Sequence, residues 1–512
     1  MSSRVPIKVK HNGQTYDIDI DADADGAAFK QCVFEKTHVP VERQKVMVKG
    51  GLLKDDTPLS KLAIRAGQQF MVLGAAGDLP KAPAKPVHFL EDMKEDELAE
   101  ATHNKVGLTN LGNTCYLNST LQVLRCIPEL HDALTAYAGS IGAQDGDAKL
   151  TASLRDLFRD LAKAQRPFPP LLFVTMLRNV APQFAEMAEG GGYAQQDAEE
   201  VWIRIVNALG TYLAGPDGKD RFVPRFLTGH MATTRSLAET AEEERSVSEE
   251  PFLMLQCNIS SSTNDMSAGI LDTLTQKIEK HSTQLGRTAV YNEQSRIARL
   301  PMYLAVHFVR FYWRRDINKK TKIMRKVKFP VELDASVFAT DELKERMLPA
   351  SRAYRATAKE REERARVRKR AKTHTAGPTD ESAPFTARQD GNVPSDKEEE
   401  ALRAKELQEI EQAIDPDLRA DTGCNATGLY ELAGIVTHKG AAADAGHYIS
   451  WVRKDDGKTQ QVPSNAWYKF DDENASIVDT EKIQSLYGGG EDSVAYILLY
   501  RAKTMGGASE GH

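Results

Sequence analysis

The order of apolar patterns between residues 4 and 73 limits the fold of this chain more than any other feature. Two runs of alternating apolar and polar residues flank His11, Asn12 and Gly13, which is a strong signal for a β-hairpin. The following segment, DGAAFKQCVFEKTHV, has helical spacing, and the short strand patterns KVMV and QFMVL come after it. The order ββαβ…β in so short a segment predicts a β-grasp domain.

The segment KVMVKGGLLKDDTPLSKL makes this region resemble the ubiquitin-like domains. It contains a strand, a glycine turn, an acidic turn and a Leu-Ser-x-Leu-like element in the order typical of that family. A conjugated modifier ends in a free Gly-Gly, whereas this chain continues into GAAGDLPKAPAKP. The resemblance therefore implies a docking module over residues 1–74, with Met47 and Leu73 on its contact face. The alternative, that both are ordinary half-exposed strand residues, stays open at this point.

Composition divides the rest of the chain into segments. Residues 75–104 have the small residues and prolines of a semi-rigid linker. From 105 to 503, helical patterns come first and strand patterns last, which predicts an α+β domain with a cleft between its halves. Residues 354–413 are dense in charge of both signs and then polar and proline-rich, so we expect a largely solvated, partly disordered insertion with helical pieces. Residues 504–512 are expected to form a flexible tail.

Charge and cysteine content narrow the possible function classes. A net charge of −6 gives no basic surplus of the kind that nucleic-acid binding needs. No apolar run approaches a membrane span in length, and the N-terminus has no apolar signal core. The five cysteines are scattered and form no CxxC pair, which indicates a reducing compartment and disfavours a zinc ribbon. We expect a protein of the cytoplasm and nucleus that binds neither nucleic acid nor membrane and uses no cofactor or metal.

The stretch GLTNLGNTCYLNSTLQVL, residues 107–124, places a cysteine at the start of a helical pattern. Asn113 or Thr114 can cap a helix that begins at Cys115, and leucines at i, i+4 and i+7 give this helix a core face. The free N–H groups and the dipole of a helix N-terminus favour an anion, so Cys115 is a candidate thiolate nucleophile. A structural cysteine is the commoner interpretation for such a residue on its own.

A nucleophilic cysteine needs a base, an acceptor that orients the base, and donors for the oxyanion. His447 follows a glycine and opens the predicted strand GHYISWV, and Asp471 and Asp472 in WYKFDD lie within one hairpin of it. Asn110 and the backbone N–H of Cys115 are suitable oxyanion donors. Each of these residues has a more ordinary structural interpretation when it is taken alone, and only their joint occurrence predicts catalysis.

Four motifs together resemble those of the ubiquitin-specific proteases, a family of papain-like deubiquitinases. GLTNLGNTCYLNSTLQVL resembles the cysteine box of the family, and GHYISWVR followed by WYKFDD resembles its histidine box. YAQQDAEEVW (193–202) resembles the glutamine–aspartate segment, and LPMYLAVHFVRF (300–311) the long central strand. The resemblance implies a fingers, palm and thumb fold, with the cysteine on the helical thumb and the histidine on the β palm. The N-terminal ubiquitin-like domain points to the proteasome-associated member of the family.

Carried over position by position, the resemblance assigns a role to each residue of the catalytic set. The roles are nucleophile for Cys115, general base for His447, orienting acid for Asp471, oxyanion donor for Asn110 and support of the oxyanion for Asp472. The implied reaction is hydrolysis of the isopeptide bond at the C-terminal glycine of ubiquitin. The implied partners are ubiquitin, polyubiquitinated proteins and the 26S proteasome regulatory particle, which would bind the ubiquitin-like domain and activate the enzyme.

The resemblance also implies substrate contacts and shows one departure. Asp197 matches an acid that engages an arginine of the ubiquitin tail, with Gln196 near the same channel, although an aspartate that stabilises a helix dipole fits Asp197 equally. Many members carry a CxxC…CxxC zinc site in the fingers, whereas this chain keeps only Cys257 in that region, so we expect metal-free fingers. The glycine-rich segments 440–446 and 487–492 are candidates for mobile loops that block the cleft.

Two other function classes remain open at this stage. A proteasome-bound ubiquitin receptor or scaffold with little turnover would use the same two domains, but the intact Cys, His, Asp and Asn set disfavours an inactive enzyme. A redox-regulated thiol protein would need a resolving cysteine close to Cys115, and Cys126 lies about three helical turns further along the predicted helix. Labelling of Cys115 by a ubiquitin-based thiol probe distinguishes the hydrolase from both.

Overall fold

The alternating runs at the N-terminus form two antiparallel strands in the computed structural model of the protein. Alternate residues of both strands are buried against a helix that crosses the sheet. The last strand lies between the first and the third and runs parallel to the first, which gives the order β2-β1-β5-β3-β4. This topology is the predicted β-grasp. Its elements are Arg4–His11 (β1), Gln14–Asp21 (β2), Gly26–Thr37 (α1), Lys45–Val48 (β3), Gly51–Leu52 (β4) and Gln69–Leu73 (β5).

Several predictions fall on residues that the structure leaves undescribed. They concern the hairpin turn at Asn12 and Gly13, the linker at 75–104, the tail at 504–512 and most of the segment 440–446. The chain forms two separate units, Met1–Phe89 and Leu90–His512. No helix among the described residues has the length and apolar character to cross a membrane. The described residues are 4–11, 14–37, 39–48, 51–62, 64–73, 105–188, 190–237, 246–282, 285–314, 319–374, 396–440, 446–454, 465–490 and 493–503.

Helical spacing at the start of the second unit produces a lobe of helices. The helix that begins at Cys115 is buried on every side, and not only along the predicted leucine face. It packs between neighbouring helices and strands of the large sheet, so even its polar residues are buried. The helices of this lobe are Cys115–Leu124 (α2), Pro128–Ala136 (α3), Gly146–Leu161 (α4), Leu171–Val180 (α5), Ala198–Tyr212 (α6) and Phe222–Phe226 (α7).

A four-stranded antiparallel sheet of order β7-β6-β10-β9 follows, in the position expected for the fingers. The prediction that Cys257 lies in the fingers is wrong, because this residue is fully buried on the strand Leu255–Asn258 (β8), which belongs to a second, eight-stranded sheet and lies at its edge. No group of three or more metal-ligating side chains occurs in the described part of the chain. The strands are Gly229–Leu237 (β6), Ser246–Phe252 (β7), Thr275–Ser282 (β9) and Arg287–Arg299 (β10), and Met266–Thr273 (α8) precedes β9.

The apolar runs late in the sequence form the large sheet, which corresponds to the expected palm. Its order is β18-β17-β16-β15-β19-β11-β8, with β14 paired to β15, and only the β8–β11 pair is parallel. Adjoining hydrophobic cores fill the space around it. Its strands are Leu255–Asn258 (β8), Tyr303–Val309 (β11), Glu332–Asp334 (β14), Leu429–Lys439 (β15), His447–Arg453 (β16), Ala466–Asp471 (β17), Asn474–Asp479 (β18) and Val494–Ala502 (β19); Phe311–Arg314 (β12) and Lys319–Lys322 (β13) form a separate hairpin.

The charged segment predicted at 354–413 contains two helices that pack against each other. The first begins well before the predicted boundary, and residues 375–395 between the helices lie outside the description. Glu399 and Glu406 are buried, with side chains 7% and 9% exposed, and arginines from both helices pair with them. The charges here therefore form a packed ion network as well as a solvated face. The helices are Asp341–His374 (α9) and Asp396–Ala413 (α10), and the short helices Pro416–Ala420 (α11) and Thr480–Gln484 (α12) complete the unit.

Candidate active site

The turn before the cysteine helix leaves its N-terminus without a side-chain cap. Thr114 holds the cap position, but its hydroxyl accepts a hydrogen bond from the N–H of Leu111 at 2.9 Å. Asn113, the other predicted cap, has a φ of 56° and donates its side-chain amide to the carbonyl of Tyr193 at 2.9 Å. The capping prediction is wrong because both side chains serve the turn instead. The first N–H groups of the helix, that of Cys115 among them, therefore carry no side-chain cap in the described part of the chain.

His447 and Asp471 meet because they stand at matching ends of two paired strands. His447 opens β16 and Asp471 closes β17, and these strands run antiparallel. His447 Nε2 lies 2.6 Å from Asp471 Oδ1. Nδ1 is then the ring nitrogen left to bind the thiol. Cys115, at the start of helix α2, forms a side-chain hydrogen bond with His447. Strand register thus fixes the orientation of the imidazole.

The electrostatics of this group favour an ion pair. Hydrogen bonds with Asp471 and with Cys115 raise the pKa of His447 to about 10. The hydrogen bond with His447 lowers the pKa of Asp471 to about 2, and Lys469, 3.1 Å from the other carboxylate oxygen, acts in the same direction. At pH 7 the ring is therefore an imidazolium between a carboxylate and the sulfur. This is the environment in which a cysteine acts as a nucleophile.

Asp472 faces the helical lobe and not the histidine. Its φ is 50°, a left-handed conformation that is uncommon for a residue other than glycine, and it turns the chain after β17. Its Oδ2 accepts from Asn110 Nδ2 at 2.7 Å, and its Oδ1 accepts from Asn118 Nδ2 at 2.8 Å. Its backbone carbonyl accepts from the N–H of Leu108 at 2.9 Å. Asp472 therefore joins the end of the sheet to the cysteine segment at three points.

The amide of Asn110 is held in one orientation. Its oxygen accepts from the N–H groups of Gly112 at 3.0 Å and Thr114 at 3.2 Å, while one N–H binds Asp472. A primary amide carries two N–H donors. The second N–H is the donor that the predicted oxyanion role requires. The structure thus brings all five predicted catalytic residues into one region.

Asp197 connects the helical lobe to the centre of the sheet. Its carboxylate accepts from the N–H of Glu199 at 2.9 Å, as a cap of helix α6 does, which agrees with the ordinary interpretation. The same carboxylate accepts from the hydroxyl of Tyr496 on β19 at 2.7 Å. The aspartate is partly exposed, so it caps the helix and still has access to solvent.

The two glutamines before Asp197 make different contacts, which the sequence motif did not indicate. Gln196, the predicted substrate contact, is half-buried next to the helix cap. Gln195 is the one that crosses the cleft, because its Oε1 accepts from the N–H of Gly446 at 3.4 Å. The contact lies directly before His447 in sequence. A run of two identical residues gave no signal for which of them would reach the strand.

A buried lysine and histidine behind the site were missed by sequence reasoning. Lys322 Nζ lies 2.9 Å from His438 Nδ1 and donates to the carbonyls of His438 at 2.7 Å and Gly440 at 2.9 Å. Burial lowers the pKa of Lys322 to about 8 and that of His438 to about 3, so His438 is a neutral acceptor. A Cβ on Gly446 would lie 2.2 Å from His438 Nε2, so the glycine permits close packing before His447. Lys322 stands in the run KKTK, which is typical of a solvated face.

A cysteine at a helix start, beside a histidine and an aspartate from neighbouring strands, defines an α+β cysteine hydrolase. Comparison with known proteins identifies the family of cysteine hydrolases to which the chain belongs. Residues 106–500 match the model of the ubiquitin carboxyl-terminal hydrolase family, and residues 7–76 match that of the ubiquitin family. The chain belongs to the ubiquitin carboxyl-terminal hydrolase family and is a cysteine deubiquitinase with an N-terminal ubiquitin-like domain.

Relatives of similar length support this assignment. The chain is 42% identical to ubiquitin carboxyl-terminal hydrolase 6 of Schizosaccharomyces pombe, over 98% of this chain and 99% of the relative. It is 36% identical to ubiquitin carboxyl-terminal hydrolase 6 of Arabidopsis thaliana, over 97% and 98%. It is 29% identical to ubiquitin carboxyl-terminal hydrolase 14 of Caenorhabditis elegans, over 98% and 94%. The similarity therefore spans both units of the chain.

Proposed function

We propose that this deubiquitinase cleaves the isopeptide bond at the C-terminal glycine of ubiquitin with Cys115, His447, Asp471 and Asn110 as its catalytic residues. The observation that carries the assignment is the hydrogen bond between His447 and Asp471 at 2.6 Å, at the strand ends that face the cysteine helix. An imidazolium held in this way both sustains a nucleophilic sulfur and has a proton to give.

The proposed reaction has two steps. The Cys115 thiolate attacks the carbonyl carbon of the terminal glycine, and the oxyanion accepts from the Cys115 N–H and the Asn110 amide. The imidazolium of His447 gives its proton to the leaving lysine amine, and a thioester remains. Neutral His447 then takes a proton from a water molecule, which attacks the thioester and releases the sulfur as thiolate. Asp471 orients the ring in both steps, and Asp472 holds the oxyanion donor.

We propose that Asp197 and Gln196 contact the ubiquitin tail near the cleft. The carboxylate of Asp197 already accepts from a backbone N–H and from the hydroxyl of Tyr496, so its position is fixed before substrate binds. A fixed carboxylate suits bidentate pairing with the guanidinium of an arginine. Gln196 stands beside it and is the matching position for a second polar contact.

We propose that the ubiquitin-like domain docks on the 26S proteasome regulatory particle through an apolar face that includes Met47 and Leu73. These side chains are 47% and 53% exposed, and Met71 and Leu52, at 50% and 52%, lie next to Met47 across paired strands. Four exposed apolar side chains on one sheet face form a patch typical of interaction sites, and not a set of scattered surface residues. Because such a partner occurs in the cytoplasm and nucleus, we propose the same localisation for this protein.

The Cys115→Ala variant tests the catalytic assignment. It should lose hydrolysis of a ubiquitin C-terminal fluorogenic amide and still bind ubiquitin, since only the nucleophile is removed. The matched control is Cys126→Ala, which removes a half-buried thiol just beyond the same helix and should keep activity. Normal turnover by Cys115→Ala would refute the assignment. Absence of turnover by the wild type, with and without proteasome, would favour the receptor alternative.

A further inference from the structure

Asn118 is a buried polar residue that no part of the proposed reaction yet uses. It lies on the cysteine helix, three residues after Cys115, and is 3% exposed. Its Nδ2 donates to Asp472 Oδ1 at 2.8 Å and also approaches the carbonyls of Leu108 at 3.2 Å and Thr109 at 3.4 Å. This one amide group therefore joins its own helix to two other segments, the one before the cysteine and the turn after β17.

An asparagine in this place is not explained by helix formation or by core packing. Asparagine is a poorer helix former than leucine, and a buried amide needs compensating hydrogen bonds. Here a carboxylate compensates the amide nitrogen, and hydrogen bonds to ionised groups are stronger than those between neutral groups, while the amide oxygen has no hydrogen-bond partner among the described residues. The partner, Asp472, is the residue that also holds the proposed oxyanion donor Asn110.

We propose that Asn118 is a positioning residue that sets the oxyanion donor through Asp472. The two oxygens of Asp472 have separate partners, Asn118 on Oδ1 and Asn110 on Oδ2. The terminal torsion of an aspartate is soft, so a carboxylate held at one oxygen rotates more freely than one held at both. Asn118 removes that freedom, and Asn110 then meets a fixed acceptor. The proposal rests on the catalytic roles proposed above.

The effect of Asn118 on the oxyanion donor is separate from the residues that activate the nucleophile. His447 is oriented by Asp471, whose carboxylate binds His447 and Lys469 and none of the asparagines in the contacts described above. Loss of Asn118 should therefore leave the sulfur and imidazole pair intact and weaken only the stabilisation of the oxyanion. Preorganised donors act on the transition state more than on bound substrate, so kcat should change and KM should not.

The test compares Asn118→Ala with wild type in two assays. Hydrolysis of the ubiquitin fluorogenic amide gives kcat and KM, and alkylation of Cys115 by iodoacetamide reports the nucleophile without forming an oxyanion. We expect kcat to fall by about ten- to a hundredfold, somewhat less than for direct loss of an oxyanion donor. KM and the alkylation rate should stay within about twofold of wild type. Ser119→Ala is the matched control, because Ser119 is equally buried and its hydroxyl donates only to the carbonyl of Tyr116 at 3.0 Å.

A second variant, Asn118→Asp, gives a signature that a structural role alone would not produce. Two facing carboxyl groups share one proton, and the protonated form restores a donor towards Asp472. The activity of Asn118→Asp relative to wild type should therefore rise as pH falls, whereas that of Asn118→Ala should not. If Asn118→Ala fails to fold, the pH dependence of Asn118→Asp relative to wild type still tests the proposal.

Three results would overturn the proposal. They are an unchanged kcat in Asn118→Ala, a fall in alkylation as large as the fall in kcat, and an Asn118→Asp variant whose relative activity is independent of pH. Each is read against wild-type turnover measured in parallel. Failure of the catalytic assignment would appear separately, as turnover by Cys115→Ala.

Discussion

Asp471 and Asp472 are adjacent in sequence, yet they serve opposite sides of the cleft. On the sheet side, Asp471 binds a cation, the ring of His447, and its pKa is lowered to about 2 as a result. On the helix side, Asp472 binds two neutral amides, those of Asn110 and Asn118. The first side controls the charge of the nucleophile and base, and the second controls the geometry of neutral donors.

The two sides also differ in what holds them. The ladder between β16 and β17 fixes Asp471 by regular strand register. A single left-handed residue, at a φ of 50°, fixes Asp472 after the strand has ended. We therefore expect a change on the sheet side to alter how turnover depends on pH, and a change on the helix side to alter turnover at every pH.

Among the changes that compare the two sides, the largest effect should come from Asp472→Ala, which removes the partner of both asparagines. We expect kcat for the ubiquitin fluorogenic amide to fall by about 10²- to 10³-fold, as for loss of an oxyanion donor. The rate of Cys115 alkylation by iodoacetamide should stay close to that of wild type. A variant that loses alkylation and turnover together would show that the two sides are not separable.

A smaller loss of turnover, with a change in pH dependence, is expected for Asp471→Asn. The asparagine keeps an acceptor but loses the carboxylate whose hydrogen bond is the largest cause of the raised pKa of His447, which is about 10 in the wild type. His447 should then lose its proton at a lower pH, so the alkaline limit of kcat, above which no proton remains for the leaving amine, should move to lower pH. We expect kcat to fall by about ten- to a hundredfold. An unshifted limit would contradict the sheet-side assignment.

Two glycines allow a matched test of packing, Gly107 on the helix side and Gly446 on the sheet side. A Cβ on Gly107 would lie 2.4 Å from the carbonyl oxygens of Asp472 and Glu473, and one on Gly446 would lie 2.6 Å from that of Lys439. Backbone oxygens have little freedom to move, so each alanine variant should cost about 1–3 kcal/mol of stability. Gly107→Ala should lower kcat without moving the alkaline limit of kcat, and Gly446→Ala should move that limit. Thermal melting and the two assays measure these effects, and the reverse pattern would contradict the comparison.

The smallest effect concerns stability against pH. The pKa of His447 rises on folding from 6.5 to about 10, so its contribution is complete below pH 6.5 and is lost as pH rises towards 10. The pKa of Asp471 falls from 3.8 to about 2, so its contribution is present above pH 3.8 and is lost as pH falls further. Both side chains are about a third exposed, which limits the effect to less than about 1 kcal/mol. The gap in melting temperature between wild type and Asp471→Asn should be larger at about pH 5.5, which lies between 3.8 and 6.5, than at about pH 9.5, which lies near the folded-state pKa of His447; a gap that grows towards alkaline pH would contradict this sign.

Local patterns were sufficient for the fold class and for the residues that the site brings together. The β-grasp order followed from alternation and turn residues, and the strands at 429–439, 447–453 and 494–502 followed from apolar runs. The pairing of Cys115 with His447 came from motif context, since neither residue is distinctive alone. These features are encoded within short windows, where spacing and turn chemistry decide the structure.

Other features could not be predicted because they depend on contacts between distant segments. Asn118 looked like one polar position on an amphipathic helix, and its partner lies 354 residues away. Lys322 looked solvent-exposed until the strand bearing His438 covered it. Cys257 was placed in the fingers because its position in the sheet order depends on a parallel pairing with β11. Sequence periodicity shows which face of an element is apolar, but not which other element covers it.

The late position of the β17 turn in the chain has a consequence for biosynthesis. The cysteine helix is translated early, but the carboxylates that complete its chemistry follow more than three hundred codons later, at Asp471 and Asp472. A ribosome-bound or prematurely terminated polypeptide thus carries the thiol without the groups that activate it. Hydrolytic competence is therefore withheld until translation has passed Asp472, long after the cysteine helix has been synthesised.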